Sequence, residues 1–569
     1  MSGLPIRGAR QLGGRRLGRR THEHDLEHSM IFRTAHCVSA LALSIVFAPA
    51  LHAQDAETPP TEGAAAPAAD RRVDILNYQV EGNSVLSRKE IEQAVMPFLG
   101  SQRPLSDVDA ARTALMEAYH AKGFETVNVV IPAQEVQGGN IRLKVVEMRV
   151  GRLRVDGATY YSPEDIGERV PSLEEGEVPN YNELSDDLAR INRSQDRVVA
   201  PTLRAGLEPG TVDIDLLVED KLPLHGTLEL NDRASSNTER LKLSGSLTYA
   251  NLFQLDHSLS LQGQMSPEDP SESWAVSASY AAPIPNTPIT LVAYGVHTDS
   301  DVAALGGINV LGKGDILGLR AIYSSISGDP ASPTVHQFTA GVDYKNFKEN
   351  LLAENEDSAS YTPIDYIPLM LRYALSKRTE TFDFDLGIGA AFGLRGLAAD
   401  DIEFGLKRFN ANANWSVLRG DASYTRKLND WRVGGSIQWQ YAGEPLISNE
   451  QFALGGYDSV RGYYESFNLG DDGISGQFQI DTPSLHNSDL VKQLRFFTFV
   501  DGGYARIHDP LSVQDEHMRL LSVGGGLRLQ LDYGLNGVVS VSRPLVDEEA
   551  TLSDFGDGFR IQFRVWEQF

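Results

Sequence analysis

Cysteine is all but missing from this chain. Among 569 residues only Cys37 carries a thiol, so nothing beyond it can form a disulfide or a thiolate metal site. Long apolar runs are missing as well. After residue 53 no stretch is long and apolar enough for a membrane-spanning helix, which excludes a helical membrane protein. Positive charge is scarce: 51 Lys and Arg face 77 Asp and Glu, a formal net charge of -26. Seven of those arginines and only three of the acids fall in residues 1–53, so the remainder is more acidic still. Such a balance argues against a nucleic-acid partner, which needs a basic footprint.

Catalytic patterns are also wanting. There is no Gly-x-Ser-x-Gly and no His-Glu-x-x-His, so a nucleophile-elbow hydrolase or a zinc protease of that type is not expected. Gly307 to Lys313 has the spacing of a phosphate-binding loop, but Gly314 stands where a hydroxyl should hold magnesium, and no helix pattern follows. It reads as a chance match. The acid pairs Asp471-Asp472 and Glu548-Glu549 read as solvated loop residues. His22, His24 and His28 lie in a segment expected to be removed or never made. No enzyme activity, cofactor or metal is expected.

What the chain does have is 52 glycines, 20 tyrosines and abundant Asn, Ser and Asp, which suit many short strands and turns. Residues 1–53 read as a secretory signal, with an apolar core from Val38 to Leu51 and a small residue, Ala53, at the cleavage point. The arginine pairs Arg15-Arg16 and Arg19-Arg20 lie too far from that core for a twin-arginine signal. Residues 54–72, rich in Ala and Pro, form a flexible tether.

Two small mixed units follow, residues 73–149 and 150–221. In the first, a strand at Val73 to Val80 precedes a helix opened by the Ser87/Glu90 capping box. Ser106 with Asp109 opens a second helix, and strands at Thr126 to Ile131 and Ile141 to Val146 close the unit. The second unit repeats the order: a strand at Leu153 to Val155, a helix capped by Ser162, and another bearing Leu184, Leu188 and Ile191. Strands at Thr202 to Leu207 and Val212 to Val218 complete it. This is a repeat of architecture rather than of letters. A small sheet with an open edge can accept an extended chain as an added strand, although a mere spacer would look the same.

From residue 222 to 569 the period becomes two. Phe382, Phe384, Leu386 and Ile388 alternate with Thr381, Asp383, Asp385 and Gly387, and Phe559, Ile561, Phe563 and Val565 with Arg560, Gln562 and Arg564. With an export signal, aromatic residues at strand ends and a final strand reaching Phe569, this predicts a transmembrane β-barrel. At about 20 to 22 residues per strand and connection, it would hold about sixteen antiparallel strands. The fold class is therefore α+β domains followed by an all-β barrel.

Within that region lies a glycine-rich stretch, Leu454-Gly455-Gly456-Tyr457-Asp458-Ser459-Val460-Arg461-Gly462-Tyr463. Alone it would pass for a solvated hairpin. Arg495 to Tyr504 supplies the contrast: Phe497, Phe499, Asp501 and Gly503 share one strand face, and a carboxylate there should face the lumen. Phenylalanines beside a glycine suit a surface on which something packs.

These stretches resemble a known family. Gln134 with Gly139 to Glu147 resembles the end of a POTRA domain. Asn192-Arg193, Asp196-Arg197 and Pro209-Gly210-Thr211 resemble the second POTRA domain of two-partner secretion transporters. Val460-Arg461-Gly462-Tyr463 and Phe499-Val500-Asp501-Gly502-Gly503 look like the paired signatures of those transporters (TpsB family, ShlB/FhaC/HecB-like), relatives of the BamA-type insertases. Asn251-Leu252-Phe253, Glu450-Gln451-Phe452 and Val523 to Arg528 match too. The resemblance implies a lumen loop (Gly455, Gly456, Val460, Arg461, Gly462, Tyr463) whose arginine meets Asp501 of the barrel wall, beside Phe499 and Gly503. It implies that Phe569 serves as an assembly signal read by the barrel-assembly machinery. It further implies an outer-membrane pore in lipid, with POTRA domains in the periplasm, that exports and activates a secreted TpsA-type exoprotein, haemagglutinin- or haemolysin-like. The alternative is a BamA- or TamA-like insertase; a passive porin leaves the two mixed domains without a use. The plug helix common in this family is not expected at residues 54–72, where Pro59, Pro60 and Pro67 break the segment.

Met30, followed by Arg33 and the apolar core, would give a signal of ordinary length. Translation is expected to start there; an uncleaved precursor whose N-terminal sequence begins at Met1 would refute it.

Overall fold

A computed structural model describes residues 72–569 apart from 137, 237, 272, 286, 301, 306–307, 330–331, 349, 352–359, 362 and 547–557. The signal segment, the Met30 start, the tether before Arg72 and the Glu548-Glu549 pair lie outside the described residues.

Each mixed unit is a three-stranded sheet of the same topology. In the first, Asn140–Val146 is central, parallel to Asn77–Glu81 and antiparallel to Asn128–Val130. In the second, Thr211–Asp220 is central, parallel to Arg149–Asp156 and antiparallel to Arg197–Ala205. Helices Arg88–Val95 and Ser106–His120 cover the first sheet, and Pro163–Glu168 and Tyr181–Ile191 belong to the second. The cores follow from period: Val108, Ala111, Leu115 and Tyr119 bury one helix stripe against Ile141, Leu143 and Val145. Ile166, Leu184 and Ile191 do the same against Ile214, Leu216 and Val218.

Three details differ from the sequence reading. The opening strand is broken at Leu76, because the Gly139 carbonyl accepts from both Leu76 N and Asn77 N, at 2.8 and 3.2 Å. Its first half, Arg72–Ile75, pairs with Gly100–Pro104, a Gly- and Pro-bounded strand that no alternation announces. Ser106 is not a cap: the helix already includes it, Leu105 holds the cap position, and no side chain caps there. The strand expected at Thr202 to Leu207 begins earlier, at Arg197.

The rest is a closed antiparallel barrel, in which Arg560–Gln568 pairs with the first strand, Leu224–Asn231. Seventeen segments form the ring, but Ile364–Tyr366 and Leu369–Arg378 both pair with Thr334–Phe347, so they are one strand interrupted near Pro368 and the barrel has sixteen. Leu228, Leu261, Leu317, Leu371, Ile437 and Phe478 are exposed on its outer face. Inward-facing charges are paired: Arg320 with Asp343, Arg372 with Asp421, and Arg564 with Glu229, each at 2.6 Å. Apolar outside and paired polar inside is the arrangement a lipid-embedded barrel requires. No helix among the described residues is long and apolar enough to cross a membrane. The Gly307 to Gly314 stretch is not a phosphate loop here: Ile308–Leu311 is a strand, Gly314 begins the next one, and Gly307 is outside the described residues.

The second unit is fastened to the barrel by His225 of the first barrel strand, whose Nε2 lies 2.8 Å from Asp196 Oδ2, and by a denser set of contacts at one turn. The turn after Lys242–Leu252 places Phe253, Gln254 and Asp256 at positive φ and presents Asp256 to two arginines. Arg197 reaches it with both terminal nitrogens, at 3.1 and 3.0 Å, while Arg169 holds Asp256 and the Gln254 carbonyl, the latter at 2.6 Å. Buried Arg197 also donates to the Ile191 carbonyl and lies 4.6 Å from the Tyr161 ring. Asp256→Ala would leave two guanidiniums facing each other without a counter-charge. Trypsin is then expected to cut near Lys221 roughly fivefold faster or more, with the barrel still folded. An unchanged cleavage rate would mean that the joint is held elsewhere.

Candidate functional site: a loop clasped inside the barrel

The connection from Trp431–Tyr441 to Asp472–Asp481 leaves the barrel at the end away from the mixed units and turns back into the lumen. Gly455 and Gly456 make the reversal possible. Both have positive φ, and a Cβ on Gly456 would sit 2.3 Å from a Glu465 carboxylate oxygen. Glu465 itself accepts from Tyr457 N at 3.0 Å, which fastens the two limbs of the loop.

At the tip, Arg461 meets Asp501 of the strand Val491–Arg506. Its Nε donates to Oδ2 at 2.6 Å and Nη2 to Oδ1 at 2.8 Å, and its backbone N donates to Oδ2 at 3.1 Å. The third guanidinium nitrogen is used as well: Nη1 donates to Gln479 Oε1 at 2.8 Å. The guanidinium lies 3.6 Å from the centroid of Phe499. Asp501 is fully buried, and Arg461 nearly so. This fork-to-fork geometry is available to arginine and not to lysine.

The neighbours explain the glycines of the wall. Phe499 and Phe497 lie over Gly524 and Gly526 of the next strand, where a Cβ would come within 2.4 and 2.6 Å of their rings. Gly503 receives Leu454 of the loop, whose Cδ1 would be 2.3 Å from an added Cβ. Val460 and Tyr463 are buried with Leu454, Phe452, Ala505 and Leu520. Tyr463 Oη donates to the Leu521 carbonyl at 3.0 Å, and Gly462 N to Gln562 Oε1 at 3.1 Å. The sequence-derived loop and wall residues are thus brought together. Phe569 is elsewhere, at the seam between first and last strands: its N donates to the Gly226 carbonyl at 3.1 Å, and its ring covers Gly226.

Other residues of the site had no signal, or a misleading one. Arg233, just past the first strand, donates to Glu465 at 3.1 Å and also contacts Asp458. Asp471, read as a solvated acid, is fully buried. It accepts from Arg408 at 2.8 Å, from Gln451 at 3.1 Å, and from the backbone of Leu446 and His508 at 2.9 and 2.7 Å. Glu450, noticed only as part of a matching triplet, is 1 % exposed. Lys345, Tyr366 and Arg419 donate to its carboxylate at 2.6, 2.7 and 2.9 Å. Beside the loop runs a cavity of about 1060 Å³, lined in part by Glu229, Arg320, Arg372, Asp421, Glu450 and Arg564. None of its lining comes from residues 491–544, the wall the loop covers.

A family model described as "Haemolysin secretion/activation protein ShlB/FhaC/HecB" matches residues 210–529, more than half of the chain. The chain belongs to this family. A second model, "POTRA domain, ShlB-type", matches residues 73–147. The outer membrane transporter CdiB of Escherichia coli O6:K15:H31 is 23% identical over 445 residues, 75% of this chain and 71% of CdiB. Among solved structures, CdiB from Escherichia coli aligns with a TM-score of 0.61 and 19% identity, covering 90% of this chain and 93% of that one. BamA from Haemophilus ducreyi lacking POTRA domains 1–3 aligns at 0.51 and 14%, covering 88% of this chain and 100% of that one, a likeness of fold. Members of the ShlB/FhaC/HecB family are outer-membrane transporters, so the barrel of this one lies in the outer membrane with its POTRA domains in the periplasm. The Arg461 loop therefore enters the lumen from the extracellular end.

A buried fork of this kind should be strongly coupled. In a double-mutant cycle of Arg461→Ala and Asp501→Ala, read by denaturant unfolding of the purified barrel, a coupling of about 2 kcal/mol is expected. Effects that add to within about 0.5 kcal/mol would show that the pair does not act as a unit.

Proposed function

We propose that this transporter exports one large, unfolded partner protein from the periplasm to the cell surface, activating it or letting it fold on exit. The partner is a TpsA-type exoprotein, haemagglutinin- or haemolysin-like. The periplasmic part comprises residues 73–149 and 150–221, the barrel residues 222–569, and Phe569 at the seam is the mark by which the barrel-assembly machinery handles the chain. The observation that carries the reading is the division of the lumen. Arg461 holds the loop against the wall around Asp501, and a cavity with mostly paired charges is left along the opposite wall. A lining of that kind offers a passing chain neither a large apolar surface nor a single-sign field to stick to. Export in this reading runs without ATP and draws on diffusion and on folding outside.

The POTRA sheets supply reception. In the second, Arg149–Asp156 and Arg197–Ala205 are the outer strands, and an extended segment can pair with such an edge through main-chain hydrogen bonds regardless of sequence. Arg461, Asp501 and the glycines that admit them act by positioning, since the loop fixes which part of the lumen is free.

Arg461→Ala is expected to insert in the outer membrane at normal levels while secretion of the partner falls roughly tenfold or more, as loss of about 1.4 kcal/mol of positioning would produce. Secretion at the wild-type level would remove the loop from the mechanism. An insertase would behave differently: its loss would lower many outer-membrane proteins rather than one secreted product, and quantifying both in a deletion strain separates the two.

A further inference from the structure

The extracellular end of the lumen has a core of its own. Val310 of the hairpin Val302–Leu305/Ile308–Leu311, Phe404 and Trp415 from the Asp401–Lys407 helix and its flanks, and Leu446 and Ile447 of the lumen loop pack together. They pack on the inner faces of wall strands at Phe347, Ile364 and Val417. Three extracellular connections thus share one apolar cluster across one side of the barrel mouth.

Two buried carboxylates stitch that cap to the wall. Glu450 is bound by Lys345, Tyr366 and Arg419, which come from three different strands, and Arg419 and Gln440 also donate to its carbonyl, at 2.9 and 3.0 Å. Asp471, at the other end of the same loop, holds Arg408 from the helix-bearing connection, and Arg408 in turn donates to the His508 carbonyl at 2.9 Å. Gln440 joins the two centres, since its amide also donates to the Asp471 carbonyl at 3.1 Å. Asn449 ties the hairpin in through the Leu311 carbonyl at 2.6 Å.

We propose that Glu450 and Asp471 are the latch of an exit gate, distinct from the Arg461–Asp501 clasp, and that release of this cap opens the extracellular end of the cavity to the exported chain. The cavity is lined by Val310, Leu311 and Asn449 to Phe452, so the cap borders the free part of the lumen directly. Ion pairs suit a latch better than apolar packing alone. They fix one arrangement while closed, yet on opening water takes over each hydrogen bond, so leaving that arrangement costs little. Removing one partner does the opposite. Glu450→Gln would leave Lys345 and Arg419 without a counter-charge in the closed state and so drive the cap open.

The proposal deepens the export reading and rests on it, but its test needs no cargo. The full-length protein, purified and reconstituted in a planar bilayer, is read by single-channel conductance, and folding is checked by heat-modifiable gel mobility. Glu450→Gln should raise the fraction of time in a high-conductance state roughly tenfold or more. Tyr366→Phe, which removes one donor and no charge, should raise it less, and Glu450→Asp should fall closer to wild type. Folded Glu450→Gln barrels that gate like wild type would overturn the latch. Should that variant fail to fold, Tyr366→Phe decides in the same way: unchanged gating overturns the proposal and raised gating supports it. Failure of the export reading would instead show in a deletion strain, as loss of many outer-membrane proteins with secretion of the partner undiminished, whatever the conductance.

Discussion

A guanidinium carried into the interior of a barrel must be neutralised where it sits. Arg461 meets that condition with Nε and Nη2 donating to one carboxylate, Nη1 donating to one side-chain amide, and the guanidinium resting on a phenyl face. Much of the surrounding structure follows from it. The strand facing the loop must carry Asp501, with Phe499 beneath the guanidinium. The next strand must be glycine at Gly524 and Gly526 to admit the phenyl rings, and Gly503 must lack a side chain so that Leu454 can seat. Removing either charge strands the other at a cost of about 3 to 5 kcal/mol, which makes the loop's position close to all-or-none.

The barrel has two polar anchors of different kinds. The clasp at Asp501 joins one arginine to one strand. The centres at Glu450 and Asp471 gather donors from several strands and loops around each carboxylate. Both types are fully hydrogen-bonded, which is the condition under which buried charge specifies an arrangement instead of destabilising it. The interruption near Pro368 belongs to the same region: it lets Ile364–Tyr366 bend so that Tyr366 points at Glu450.

Much of this was legible in the letters. Period-two alternation gave the barrel, helix periodicity and capping gave the paired POTRA order, and a rare residue placed in glycines gave Arg461. Asp501 stood out because a carboxylate shared a strand face with two phenylalanines. The rest was hidden for physical reasons. Asp471 was misread because an Asp-Asp pair in a loop usually meets water, and the donors that bury it are distant in sequence, Arg408 by 63 residues and His508 by 37. Glu450 finds Lys345 across 105 residues, and Asp256 finds Arg197 across 59. Local pattern carries no information at those separations. The Gly100–Pro104 strand was invisible for another reason: an edge strand that buries little needs no alternation.

The order of strands in the POTRA sheets bears on how the chain reaches its fold after leaving the cytoplasm. In each domain the central strand is the last in sequence, Asn140–Val146 in one and Thr211–Asp220 in the other. Neither sheet can exist until that strand has emerged, because the two outer strands have no bond to each other. A chain crossing a membrane N-terminus first thus completes one domain in a single late step, then the other, and only afterwards presents a barrel to be built. Up to residue 140 the first domain has two helices, the short pair Arg72–Ile75 and Gly100–Pro104, and two strands still without their central partner; seven residues later the sheet can close.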